Sequence, residues 1–243
     1  MQKTIAVVLA VCVLAISCKK PAGAGTASLR LQLNPMFGGM PMRLGSTYST
    51  PDGRYYYFNY FAVTLSHIRL IHADGSYVEV NAAAYINLND STEAMPVVSL
   101  TNIAGTYTAV RFSIGLDSVQ DNTLDNGDPS SPFYANLYWG ASLKYVFLEL
   151  DGLADTSRVP LNGISYLIGS KAYYTTITLS KPFTLTANSP ETIVLNMDLR
   201  SVFYGGANPI NALDPAQDVT GNPVNAPVAQ KFITNMDASF SLQ

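Results

Sequence analysis

Few side chains of this 243-residue chain are equipped for chemistry: His67 and His72, seven methionines, one tryptophan (Trp139), two cysteines and the acidic series Asp117, Asp121, Asp125 and Asp128. Imidazole and thioether groups suit transition metals, whereas carboxylate oxygens in series suit calcium. His67 and His72 are separated by an odd number of residues, which along a regular strand puts side chains on opposite faces. They could share an ion only if a bulge or turn intervened. Taken alone, His67 falls on the face of Phe61, Val63 and Leu65 and reads as a core or interface histidine, while His72, beside Asp74-Gly75, reads as solvated. The Asp117 to Asp128 series lacks the spacing of an EF-hand, so calcium stands there beside a plain solvated turn. Trp139 reads either as hydrophobic packing or as part of a binding site. No Gly-rich phosphate loop, Gly-x-Ser-x-Gly elbow or zinc-protease His-Glu pair occurs, so nothing in the sequence supports catalysis.

The amino terminus speaks for export. Lys3 precedes an apolar run, residues 5–16, too short for a membrane span but suited to a secretory signal. It ends Leu14-Ala15-Ile16-Ser17-Cys18, which resembles a bacterial lipobox, with Cys18 as the acylated first residue of the mature chain. Residues 1–17 are then a signal peptide, 18–27 a lipidated cysteine and small-residue tether, and 28–243 a single domain. Cys12 leaves with the signal, so the mature domain has neither a disulfide nor a thiolate ligand. Several acyl chains anchor firmly, since each buried methylene contributes roughly 0.8 kcal/mol. The expected location is the cell envelope, on the periplasmic side of a membrane or on the outer-membrane surface. With 13% charged residues and a net charge of −3, the chain lacks the basic surface that nucleic acid requires.

The elements that must position these residues read as strands. Leu29, Leu31 and Leu33 alternate with polar residues, the period of a strand with one buried face. Residues 54–72 form a long β-prone run, two strands or one bent strand, closing on Asp74-Gly75, a hairpin signal. Residues 107–116 place Val110, Phe112 and Ile114 on one face, and 144–150 are apolar on both faces, as in a covered central strand. Between them, residues 119–132 are rich in Asp, Asn, Pro and Ser and read as a loop, so Trp139 lies where a polar loop re-enters the sheet. Three further strands are expected over 173–179, 183–185 and 192–197, and a helix is expected to open the segment 228–242. About ten short strands with few helices predict an all-β, antiparallel two-sheet sandwich.

An ordered series of motifs carries a family resemblance. FAVTLSHIRLIHADGS (61–76), GTYTAVRFSIGLDS (105–118), LYWGASLKYVFLELDG (137–152), ISYLIGS (164–170) and the closing NMDASFSL together resemble the MbnP-like family of bacterial envelope proteins. The resemblance implies copper binding, with Trp139 matching a tryptophan that a partner di-haem peroxidase oxidises to a kynurenine ligand. Leu137, Ala141, Lys144 and Leu167 depart from the family's Met, Trp, Gly and His. The candidate metal residues are Trp139 and His67. The expectation is a lipid-anchored, non-enzymatic copper-binding protein. The alternative is a metal-free module that uses the aromatic residues of 54–61 and 134–139 to hold a glycan or protein.

Overall fold

Alternating leucines set the first layer: Leu29, Leu31 and Leu33 are all buried along strand β1 (Ser28–Phe37). The computed structural model describes residues 27–80, 83–88, 95–124, 137–138, 144–155, 161–205, 208–220 and 226–243. After β1 come β2 (Met40–Pro41), β3 (Thr47–Ser49), β4 (Tyr55–Ile71), β5 (Tyr77–Val80), β6 (Ala84–Asn87), β7 (Met95–Thr101) and β8 (Gly105–Ile114). Helix α1 (Ser118–Leu124) precedes β9 (Val146–Ala154), β10 (Asn162–Gly169), β11 (Thr175–Leu185) and β12 (Pro190–Asp198). Helix α2 (Leu199–Tyr204), β13 (Val219–Thr220), α3 (Ala226–Met236) and β14 (Phe240–Leu242) complete the order.

The strands form two sheets, as the turn-rich alternating sequence predicts. One runs β14-β12-β1-β2 with β7 also on β1; the other runs β11-β8-β4-β9-β10-β13 with β3, β5 and β6 also on β4. Most pairs are antiparallel, but β1 and β12 lie parallel over their whole shared length. The core between the layers joins Leu31, Leu33, Leu195 and Met197 to Phe61, Val63, Val110, Phe112, Leu148 and Leu150. At one end Phe203 of α2 and Phe232 of α3 pack against Tyr166, and Phe203 also against Tyr56.

Strand β4 sits at the centre of the second sheet, and its buried residues change phase twice. Tyr56 and Phe58 face the core, then Phe61, Val63 and Leu65, then Ile68 and Leu70. Each change coincides with a register shift, between Phe58 and Tyr60 against β9 and between Ser66 and Arg69 against β8. An extra residue in one strand inverts the side-chain alternation beyond it, so these are β-bulges. His67 lies in the second bulge with φ 47, a left-handed conformation uncommon outside glycine. The sequence placed His67 on the face of Phe61, Val63 and Leu65; the bulge turns it out of the core instead.

Val63 pairs with Ile86 of β6 and Leu148 of β9, and Leu65 pairs with Ala84 of β6 and Ile114 of β8. With β6 on one edge of β4, β8 and β9 therefore lie end to end along the other. Their junction is Thr64, whose carbonyl accepts from the Gly115 amide at 2.9 Å. The chain thus leaves the sheet after Gly115 and returns at Val146 beside the same point of β4. Gly115 has φ +94, and a Cβ there would sit 2.2 Å from the Phe147 ring. Gly115→Ala is expected to lower stability by about 1–3 kcal/mol, the range for overpacking a tight site. Gly163→Ala, where a Cβ meets nothing within 4 Å, serves as the control that stays close to wild type in urea unfolding.

Candidate functional site

His67 projects from the β4 bulge between two carboxylates on neighbouring elements. Its Nδ1 lies 2.9 Å from Glu79 Oε1 on β5, and its Nε2 lies 2.8 Å from Asp117 Oδ2 just before α1. Glu79 is also held by Arg69, whose Nη2 donates to both carboxylate oxygens at 3.0 and 3.1 Å. The Arg69 guanidinium rests 4.5 Å from the centroid of the Tyr77 ring, a cation–π contact. Ionised carboxylates only accept hydrogen bonds, so both contacts to His67 are donated together only by the protonated ring.

Asp117 does a second job. Its Oδ1 accepts from the amides of Val119 and Gln120, both at 2.8 Å, while Gln120 Oε1 accepts from the Asp117 amide at 3.4 Å. This reciprocal Asp-x-x-Gln arrangement is a capping box that starts α1. The turn-forming composition of 119–132 predicts a loop, but Asp117-Ser118-Val119-Gln120 carries the signal for a helix start, and α1 runs to Leu124. Downstream, burial pushes the Asp121 carboxyl up against the opposing pull of Lys144 and the Tyr145 backbone. The outgoing helix therefore stands against the returning chain. Tyr138 bridges Tyr145, their rings 5.2 Å apart, and Leu137 is fully buried.

The other sequence-derived candidates fall apart from this cluster. Trp139, Cys18, Asp125 and Asp128 lie outside the described residues. His72 stacks on Tyr107 with ring centroids 4.4 Å apart and donates from Nδ1 to the Thr106 carbonyl at 2.8 Å, so the two histidines have separate partners. Met42, Met197 and Met236 are core residues. Of the acidic series offered to calcium, Asp117 is bonded to His67 and caps α1, and Asp121 lies within α1. In the aromatic run, Tyr56, Phe58 and Phe61 are buried, which leaves Tyr55, Tyr57 and Tyr60 to any glycan or protein contact. Among the described residues, no three His, Cys, Asp or Glu side chains are grouped to hold a metal.

Comparison with known proteins fixes the family. The family model described as MbnP matches residues 26–225, most of the chain. The chain belongs to the MbnP family. The solved structure of MbnP from Methylosinus trichosporium superposes with a TM-score of 0.58 at 10% identity, covering 89% of this chain and 98% of that one. At that identity the MbnP likeness is one of fold. No curated protein matches the chain.

One pair of acids in this MbnP-family chain escaped the sequence reading. Glu149 and Asp151 lie two apart on β9, across from Ala62 and Tyr60, and the alternation Glu-Leu-Asp was the available signal. Burial, followed by the Asp151 charge, pushes the Glu149 carboxyl up to about 7. A raised carboxyl favours the folded state below its unfolded value of about 4.5, and that contribution is lost as pH rises through about 7. Glu149→Gln should therefore be more stable than wild type at pH 8 and indistinguishable from it at pH 4, measured as the urea midpoint.

The sign is opposite for the His67 partners. A hydrogen bond from His67 holds the Glu79 carboxyl below its ordinary value against the cost of burial. For Asp117, burial opposes ionisation, but hydrogen bonds from the Gln120 backbone and His67 prevail and lower it. Carboxyls lowered by folding stabilise the fold above their unfolded pKa, and the contribution is lost as pH falls through the folded value. Acid unfolding is expected to steepen below the ordinary carboxylate range in wild type and to flatten in the Glu79→Gln/Asp117→Asn double variant. A series of urea midpoints against pH reads this directly.

Proposed function

We propose that this MbnP-family chain is a non-catalytic protein of the bacterial envelope, tethered through acylated Cys18, that holds copper(II) at the root of the Trp139 loop. The observation that carries the reading is the placement of His67, with Nδ1 fixed by Glu79 and Nε2 directed at Asp117. Metal-bound histidines have this form: one ring nitrogen faces the ion while the other donates to a carboxylate that sets tautomer and orientation. An imidazole nitrogen and a carboxylate oxygen suit divalent copper, and no thiolate is needed.

The two donors fit the ion but do not complete its coordination. The family resemblance implies Trp139 as the further ligand, the residue on which the implied di-haem peroxidase would act. Copper is cargo in this reading, and the protein's part is to orient His67, bring Asp117 beside it and anchor the site outside the cytoplasm. Because the ion takes the place of the Nε2 proton, uptake should strengthen as pH rises.

Copper(II) titration of the purified chain, read by electron paramagnetic resonance and equilibrium dialysis, tests the proposal. One ion per chain is expected, abolished in His67→Ala and weakened about 10- to 100-fold in Glu79→Gln, the usual effect of losing a ligand's supporting carboxylate. Uptake no greater than background, or equal uptake by His67→Ala, removes the copper reading. Mass analysis of the exported protein for Cys18 acylation decides the tether separately.

A further inference from the structure

We propose that the outer face of the second sheet carries a binding site for a small hydroxycarboxylate, of the kind an acidic sugar presents. The site is a cavity of about 160 Å³ spanning β4, β8 and β11, with no aliphatic side chain in its lining among the described residues. A ligand therefore gains little from apolar burial there and must be recognised through charge and hydrogen bonds.

Its cationic wall is Arg69 and Arg111, which face each other in register on adjacent strands. Like charges directly opposite on a sheet repel. Glu79 offsets only one of them: Arg111 gives its Nε to Thr178 at 3.0 Å, and no carboxylate forms an ion pair with it among the described residues. A guanidinium left unbalanced is a cost that one carboxylate removes, since its paired oxygens match the guanidinium fork.

The remaining walls select for hydroxyl groups. Tyr174 donates to Ser113 Oγ at 2.8 Å, and Ser113 Oγ lies 2.9 Å from Thr176 Oγ1, so three linked hydroxyls line this wall with the exposed Thr176 at their open end. Opposite stand His67 and Asp117, and the Asp117 carboxylate can accept from a ligand hydroxyl. Among the described residues Arg111 is the wall's one guanidinium without a carboxylate, so the site balances a single negative charge and suits a monoanion better than a dianionic phosphate. The site shares His67 and Asp117 with the proposed copper position but requires no metal.

Isothermal titration of the metal-free full chain, in EDTA at neutral pH, with D-glucuronate, D-glucose, acetate and inorganic phosphate tests the proposal. Saturable binding of glucuronate is expected, with glucose and acetate each about tenfold or more weaker because each lacks one half of the recognition. Arg111→Gln should weaken glucuronate about tenfold or more while leaving the unliganded urea midpoint unchanged or higher. Arg111→Lys, which keeps the charge without the fork, should fall between and covers the case in which the glutamine variant does not fold. The proposal is overturned by absence of saturable glucuronate binding, by glucose or phosphate binding as tightly, or by an Arg111 variant that binds like wild type. Copper uptake is measured on separate samples, so failure of either site leaves the other readable.

Discussion

A strand of 17 residues at the centre of a sandwich must keep presenting apolar side chains inward while the sheet twists and its neighbours change, and β4 does so by bulging twice. Every other placement in the second sheet follows from that compromise. The first bulge lets Tyr56 and Phe58 reach the aromatic cluster of the helical end, while Phe61, Val63 and Leu65 fill the middle. The second restores inward packing through Ile68 and Leu70 and leaves one residue over. That residue is His67, and its outward turn gives the sheet's outer face its charged cluster.

Charge is scarce in this chain, and part of it is gathered around this bulge. Arg69, Glu79, Asp117 and His67 form one connected network that ties β4 to β5 and to the start of α1. Exposed ion pairs contribute little singly, but here each member has two partners and a half-buried position, so position rather than strength is the result. The network fixes where the segment after β8 sets off.

Some of this was written in the sequence and some was not. Strands β1 and β8 follow from strict alternation, and β9 from a run apolar on both faces. The bulges in β4 were hidden because Ala62, Thr64 and Ser66 are small and buried on the outer face, which blurs the alternation that a phase change would otherwise reveal. Helix α1 was masked by turn-forming residues even though its capping box was legible. Helix α2 is six residues long and has no periodic stretch to show. The parallel pairing of β1 with β12 is a tertiary choice across most of the chain, and no local pattern encodes it. His67 and Asp117 were each identified, but their meeting depends on the bulge, and Glu79 entered only through the β4–β5 pairing.

The junction at Thr64 separates two kinds of sequence. Because the strands on either side of residues 116–145 abut on one edge of β4, the sheet closes across the gap whatever lies between. Loop-closure entropy grows only slowly with length, so a long excursion here costs the sandwich little, provided its ends keep Leu116, Leu137 and Tyr145 in the core. The frame beneath the excursion keeps its shape at 10% sequence identity to the solved MbnP structure.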